Sequence, residues 1–189
     1  MMIYVALLRG INVGGKNKVD MKILKKTFES AGMESVITYI NSGNIVFMDS
    51  RKKKEEIIST LENAILNDFG LPIKVIILDY DAYQKIVNAI PGSWQNNKEM
   101  RSDVMFLWDE VNQSSVLDKL VIHPDIDSVK YVDGALLWSA GVQQISRSGK
   151  MKLAGTSLYQ KMTVRNVNTA RKIFELMNGL KRSIPQGIK

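Results

Sequence analysis

The order of hydrophobic periods along residues 2–78 constrains this chain more than any other feature. Residues 2–8, "MIYVALL", are short, apolar and rich in strand formers, which predicts a strand. Asp20 is placed to cap a helix on which Met21, Leu24, Phe28 and Ala31 share one face, with Gly32 as its stop. "SVITYI" and "NIVFM" then read as two strands joined through Asn41-Ser42-Gly43-Asn44, residue types that suit a hairpin. A second helix is expected from near Ser50. It gathers Ile57, Ile58, Leu61, Ala64, Ile65 and Phe69, and Gly70 and Pro72 end it. "IKVIIL" supplies a fourth strand. The order β-α-β-β-α-β is the ferredoxin-like arrangement, with two helices on one face of an antiparallel sheet.

The second half partly repeats the plan. Tyr80, Tyr83, Ile86, Val87 and Ile90 mark a helix ended by Pro91-Gly92, and residues 92–102 look like a polar loop. "DVMFLW" is a strand. Leu117, Leu120 and Val121 lie on an expected helix capped by Asn112 or Ser114. "SVKYV" and "ALLWSA" flank Asp133-Gly134, the clearest hairpin signal in the chain. A basic loop follows at 141–155. A last helix is expected over 167–178, with Ile173, Phe174 and Met177 inward, Gly179 as its stop and a frayed tail after 180. The expected fold is thus α+β: two ferredoxin-like βαββαβ-type halves, the second less regular. Residues 1–79 would form one domain and 80–189 a related one with a basic C-terminal helix.

Cysteine is absent, and the N-terminus has neither a basic leader nor a long apolar run, since Arg9 interrupts it. These features lead to a cytoplasmic expectation with no membrane partner. Charge is placed unevenly. Residues 141–189 hold ten Lys/Arg against Glu175 alone, a local +9 within a total of +7, which leaves −2 for residues 1–140. That excess points to an acidic partner, such as nucleic acid, a nucleotide or anionic lipid, or else to a solvated surface.

"RGINVGGKNK", residues 9–18, carries most of a nucleotide-binding P-loop: Gly10, four residues, Gly15, Lys16. A P-loop follows its lysine with Ser or Thr to hold magnesium, and a helix starts at once behind it. Here Asn17 follows, the helix starts near Asp20, and the expected sheet is antiparallel. A triphosphatase is therefore disfavoured. Weaker anion binding stays open, with Gly14 and Gly15 admitting close backbone approach and Arg9, Lys16 and Lys18 supplying charge. "TVRNVNTARK", residues 163–172, sets Arg165, Arg171 and Lys172 around a helix start that normally favours acids. Two readings follow: an anion held by Arg165, Arg171 and free N–H groups, or an ordinary helix capped by Asn166, Asn168 or Thr169 with its cations in water. "SRSGKMK", residues 146–152, either extends this surface or, taken alone, reads as a solvated loop; Ser42-Gly43-Asn44 reads as a plain hairpin turn, with the alternative that Ser42 and Asn44 present a polar ligand-binding group beside the Gly14 loop.

An RNA-recognition reading places Tyr4, Ala6 and Leu8 on the open sheet face with Asn44 and Val46, too few aromatics for base stacking. Catalytic sets are thin. His123 is the single histidine and reads as a loop residue; Asp125 with Asp127, and Asp109 with Glu110, read as solvated turn acids. No metal site or cofactor is expected.

"YVALLRGINVGGKNKVDM", "TYINSGNIVF" and "TVRNVNTARKIFEL" occur in order across nearly the whole chain. Together they resemble the bacterial family catalogued as domain of unknown function 1697. The resemblance implies a duplicated ferredoxin-related fold and brings no activity, substrate or cofactor. Its motifs fall on Arg9, Asn12, Gly14, Gly15, Lys16 and Lys18, on Ser42, Gly43 and Asn44, and on Arg165, Asn166 and Thr169. Family members often carry an aromatic residue where this chain has Val167. The leading expectation is a binding protein that holds a phosphate-bearing ligand, a nucleotide or nucleic acid, in a basic cleft between the halves. An enzyme acting on a phosphorylated small molecule, and a structural or partner-binding protein, are the alternatives.

Overall fold

The computed structural model describes residues 1–50 and 53–184. The first half forms strand β1 (Met2–Leu8), helix α1 (Met21–Ser30), β2 (Glu34–Tyr39), β3 (Asn44–Asp49), α2 (Lys54–Phe69) and β4 (Val75–Asp79). Their sheet has the order β2-β3-β1-β4 and is antiparallel throughout. After α3 (Tyr80–Asn88) come β5 (Met100–Leu107), β6 (Asp127–Val132), β7 (Ala135–Gly141), the one-turn α4 (Lys150–Leu153), β8 (Met162–Asn166) and α5 (Val167–Ser183). The second sheet, β6-β7-β5-β8, repeats the order of the first strand for strand. The expected duplicated α+β architecture is therefore present. The chain divides into two compact units. One holds Met1–Tyr83 together with the stretch from Ile173 onward, the other Gln84–Lys172.

In the first unit, α1 starts at the expected cap, where the Asp20 carboxylate accepts from the N–H groups of Lys22 and Ile23 at 2.7 and 3.1 Å. The α1 face of Leu24 and Phe28 meets Ile57, Leu61 and Ile65 of α2 over Tyr4, Ala6, Leu8, Ile45 and Phe47 of the sheet. Tyr4 stacks on Phe47 at 5.8 Å, and Phe28 meets Phe47 edge-on at the same separation. This corrects the expected face of Tyr4. Its cross-strand partner is Phe47, and Val5 pairs with Val46. Tyr4, Ala6 and Leu8 therefore face the helices, whereas Val5, Leu7, Asn44 and Val46 share the other face, which carries no aromatic residue from these strands. Helix α2 begins at Lys54 rather than near Ser50; residues 51 and 52 lie outside the described residues.

The second unit departs more from expectation. β5 starts at Met100, inside the stretch expected to be a loop, because Met100–Ser102 pair with β7 and the buried Ser102 and Ser139 hydroxyls hydrogen-bond at 2.7 Å. The helix expected at Leu117, Leu120 and Val121 is a short 3₁₀ segment, Ser114–Lys119, with another at Asp109–Val111. Asn112 does not cap the Ser114–Lys119 segment, which Gln113 precedes without a side-chain cap. The Asn112 side chain donates to Asp133 and accepts from the Tyr131 hydroxyl and Gly134 N–H, pinning the β6–β7 hairpin. The basic loop at 141–155 contains a 3₁₀ segment, Val142–Arg147, and α4. Strand β8 is an addition to the expected elements; it pairs with β5 from Leu107↔Met162 to Asp103↔Asn166. Finally, α5 runs through Gly179 to Ser183, because Leu180 extends the buried stripe of Ala170, Ile173 and Met177. Residues 185–189 of the expected frayed tail lie outside the described residues.

Candidate functional site

The glycine loop is a small, tightly specified hairpin. Gly14 and Gly15 have φ of +58° and +76°, and Lys16 N–H returns to the Val13 carbonyl at 3.1 Å. Two left-handed central residues make a type I′ turn, which suits glycine. One step out, Asn12 N–H bonds the Asn17 carbonyl at 3.1 Å. Asn12 and Asn17 are themselves left-handed, at φ +53° and +47°, a conformation asparagine tolerates better than most residues. The Asn12 side chain fastens the loop. Its amide donates to the carbonyls of Val19 and Asn41 at 2.9 Å each, and its oxygen accepts from Val19 N–H at 2.8 Å. Asn17 donates to the Gly10 carbonyl.

The neighbouring β2–β3 turn is as closely specified. Gly43 sits at φ +75°, and a Cβ there would lie 2.7 Å from Leu8 Cβ and 2.9 Å from Ile11 Cδ1. Its carbonyl accepts from Leu8 N–H at 2.8 Å. Asn44 is fully buried and donates to the Tyr39 carbonyl and the Ser42 hydroxyl. Between the two turns lies an open depression of about 420 Å³, lined by Asn12, Gly15, Lys18, Asp20, Met21 and Asn41 among others.

Two features decide what this loop can do. The Asp20 carboxylate already occupies the α1 N-terminus, so those helix amides do not await an outside anion. By contrast, the N–H groups of Gly14 and Gly15 have no partner among the described residues, and Lys16 and Lys18 are exposed without an acid partner there. Arg9 is half-buried at the end of β1, where its N–H bonds the Lys74 carbonyl. The loop thus combines outward amides with two ammonium groups on a backbone set in advance.

The second motif lies in the other unit. Arg165, on β8, is buried; its Nη1 donates to the Thr163 hydroxyl and the Val164 carbonyl. The Asn166 side chain accepts from Thr169 N–H at 2.8 Å and so caps α5. Arg171 donates to the carbonyls of Trp94 and Pro91 at 2.7 and 3.0 Å, and Asn168 to that of Asn96. Together Asn168 and Arg171 clamp the 91–97 segment onto the first turns of α5. Val167 is fully buried.

The C-terminal charge therefore has a different meaning from the one its sum suggests. Lys150 pairs with Asp103, Lys161 with Glu110 at 2.7 Å, Lys181 covers the Tyr80 ring, and Arg165 and Arg171 serve backbone or hydroxyl oxygens. At least half of the ten cations have structural work.

One buried centre escapes the sequence reading. Asp127, expected to be a solvated acid, is 6% exposed. Its carboxylate accepts from Trp138 Nε1, the Ser148 hydroxyl, His123 N–H and Gly149 N–H. Burial pushes the carboxyl up, but these four hydrogen bonds outweigh it and hold the group below its ordinary value. The "SRSGKMK" segment is therefore not a solvated loop: Ser148 and Gly149 are buried on Asp127. A Cβ on Gly149 would sit 1.7 Å from the Val121 carbonyl oxygen. The serine-glycine pair two elements after an aspartate is the available signal, but sequence spacing alone does not join them.

Among the described residues, no group of three or more His, Asp or Glu side chains could hold a metal ion, and no helix is long and apolar enough to cross a membrane.

Two sheets of identical strand order define a duplicated ferredoxin-like α+β protein. The chain belongs to the family described as protein of unknown function (DUF1697), whose model matches residues 1–138. That span includes the glycine loop and the Ser42–Asn44 turn but stops short of residues 163–172. The chain is also similar to a solved structure of a conserved bacterial protein from Streptococcus pneumoniae, with 26% identity, a TM-score of 0.80, and coverage of 93% of this chain and 98% of that one. No curated protein matches the chain.

Proposed function

We propose that the protein binds a phosphate-bearing ligand, a nucleotide or nucleic acid, at the solvent-facing side of its glycine turn, formed by Val13–Lys16 and Lys18. The single observation that carries this reading is the pair of amides on Gly14 and Gly15 beside Lys16 and Lys18, none of which has a partner among the described residues. Amides held in left-handed turns form anion-binding concavities, and their fixed orientation limits the ordering cost of binding. Lys16 and Lys18 neutralise charge. Side-chain hydrogen bonds of Asn12 and Asn17 position the loop, and those of Ser42 and Asn44 the neighbouring turn.

Arg165, Asn166, Thr169 and Arg171 play the scaffold part in the second unit. Their hydrogen bonds to neighbouring oxygens and amides favour that role over direct ligand contact. The test is calorimetric titration with a nucleoside triphosphate and with an oligonucleotide. The reading expects binding of at least one, weakened about tenfold or more by Lys16→Ala with the melting temperature unchanged. Absence of binding to both contradicts it.

A further inference from the structure

The basic excess at the C-terminus hides a second one. Residues 9–26 carry six cations, Arg9, Lys16, Lys18, Lys22, Lys25 and Lys26, against one acid, Asp20. Summed with the rest of residues 1–140, this cluster vanishes into a negative total. The structure separates the two groups by what their charges do. Much of the C-terminal set is spent on ion pairs and carbonyl contacts. In the N-terminal set, Asp20 is spent on the α1 cap, Lys25 reaches Glu29 at 3.8 Å, and Lys16, Lys18, Lys22 and Lys26 are exposed with no acid partner among the described residues.

The placement of Lys22 and Lys26 works against the local stability of α1. Its first turn contains no acid and does contain Lys22, next to the positive end of the helix dipole. Lys22 and Lys26 stand at i and i+4, a like-charge pair one helical turn or about 6 Å apart, with mutual repulsion. Cations set against one another gain when a polyanion covers them. The run from the glycine turn along α1 also extends past what one phosphate needs. Exposed lysines on a turn and on the helix that follows it suit the closely spaced charges of a nucleic acid, about 3.4 Å apart along the axis of each strand. No aromatic residue is among those lining the depression beside these lysines, and Tyr4, Phe28 and Phe47 are buried in the core. The lining of the depression therefore offers charge and backbone amides and no aromatic ring for unstacked bases.

We infer that the face carrying Lys16, Lys18, Lys22 and Lys26 docks on the phosphate backbone of a nucleic-acid duplex, with the Gly14–Gly15 amides on one phosphate. The inference rests on the phosphate-binding reading of the glycine turn and names its partner. Contacts made to the backbone alone give affinity with little sequence preference.

The experiment is fluorescence anisotropy of the full chain with a labelled 20-base-pair duplex, and with single strands of the same sequence, across a series of salt concentrations. Four phosphate contacts predict a slope of log K against log salt near −3.6, at about −0.9 per contact. Lys18→Ala, Lys22→Ala and Lys26→Ala should each make the slope shallower by about 0.9, with the melting temperature held in the first and held or raised in the two helix variants. Lys130→Ala, on β6 in the other unit, should leave it unchanged. No duplex binding at low salt, a slope indifferent to the three substitutions, or tighter binding of the single strand overturns the inference. If the duplex fails while a nucleotide still binds with sensitivity to Lys16→Ala, this inference falls and the phosphate-binding reading stands. If neither binds, both fall.

Discussion

The Asn12 amide donates to the Asn41 carbonyl at 2.9 Å, tying the glycine turn to the β2–β3 turn across 29 residues of sequence. The same side chain makes two more bonds, both to Val19. Asn12 is therefore the residue on which the shape of the exposed loop depends. Replacing it with Ala leaves the Val19 amide and two carbonyls to find water. The expected cost is about 1–3 kcal/mol in denaturant unfolding. Nucleotide affinity should fall with it, although the side chain's polar groups face the protein.

The glycines of the two turns should differ in tolerance. Gly14 and Gly15 have open space where a Cβ would go, so alanine there meets only the cost of a left-handed backbone, about 1–2 kcal/mol. Gly43 adds a collision with Leu8 Cβ and Ile11. Gly43→Ala should lower the melting temperature well beyond either Gly14→Ala or Gly15→Ala. Equal losses in all three would contradict the close approach described.

A similar contrast holds in the second half of the chain. Gly149→Ala would drive a methyl group into the Val121 carbonyl and pull Ser148 off Asp127, so loss of folded protein is expected on expression or in thermal melts. Gly179→Ala lies within α5, exposed and with nothing near the new methyl. It should stabilise by about 0.5–1 kcal/mol.

Asp127 gives the stability an acid-side limb. Its carboxyl is held below the ordinary value in the folded state, by hydrogen bonds that outweigh burial. A depressed carboxyl contributes stability that is present above the unfolded value, about 3.9, and is lost as pH falls through the folded value. Denaturant unfolding between about pH 6 and pH 2 should show this loss. Asp127→Asn should cost about 3 kcal/mol near neutrality, since an amide cannot accept all four bonds, and should flatten the acid limb. An unchanged pH profile in that variant would show that other carboxylates set it.

Much of this fold is legible from local signals. Asp20 before an apolar helix face, Gly70 after one, and Asp133-Gly134 between alternating segments each act within a few residues, and each takes its expected place. What escapes the sequence depends on distant partners. "MTVRN" is five residues against a helix start, and only its pairing with β5 makes it a strand. A motif-based reading puts Tyr4 on the wrong face; register with Phe47 decides it. The chemistry is less legible for the same reason. Asp127 acquires its role from Ser148 and Gly149, and Arg171 from Pro91 and Trp94, across 21 to 80 residues. Charge summed over long segments misleads in the opposite direction, hiding Lys16, Lys18, Lys22 and Lys26, which have no acid partner among the described residues.

Amide chemical shifts test the glycine-turn account most directly. In a ¹⁵N-labelled protein titrated with a nucleoside triphosphate, and separately with the duplex, the Gly14 and Gly15 resonances should move saturably with at least one of them. The shifts should weaken in Lys16→Ala, and the Lys22 and Ile23 amides, already bonded to Asp20, should move less. If Gly14 and Gly15 stay still while the ligand perturbs another part of the chain, or if nothing moves, the glycine turn is not the binding site.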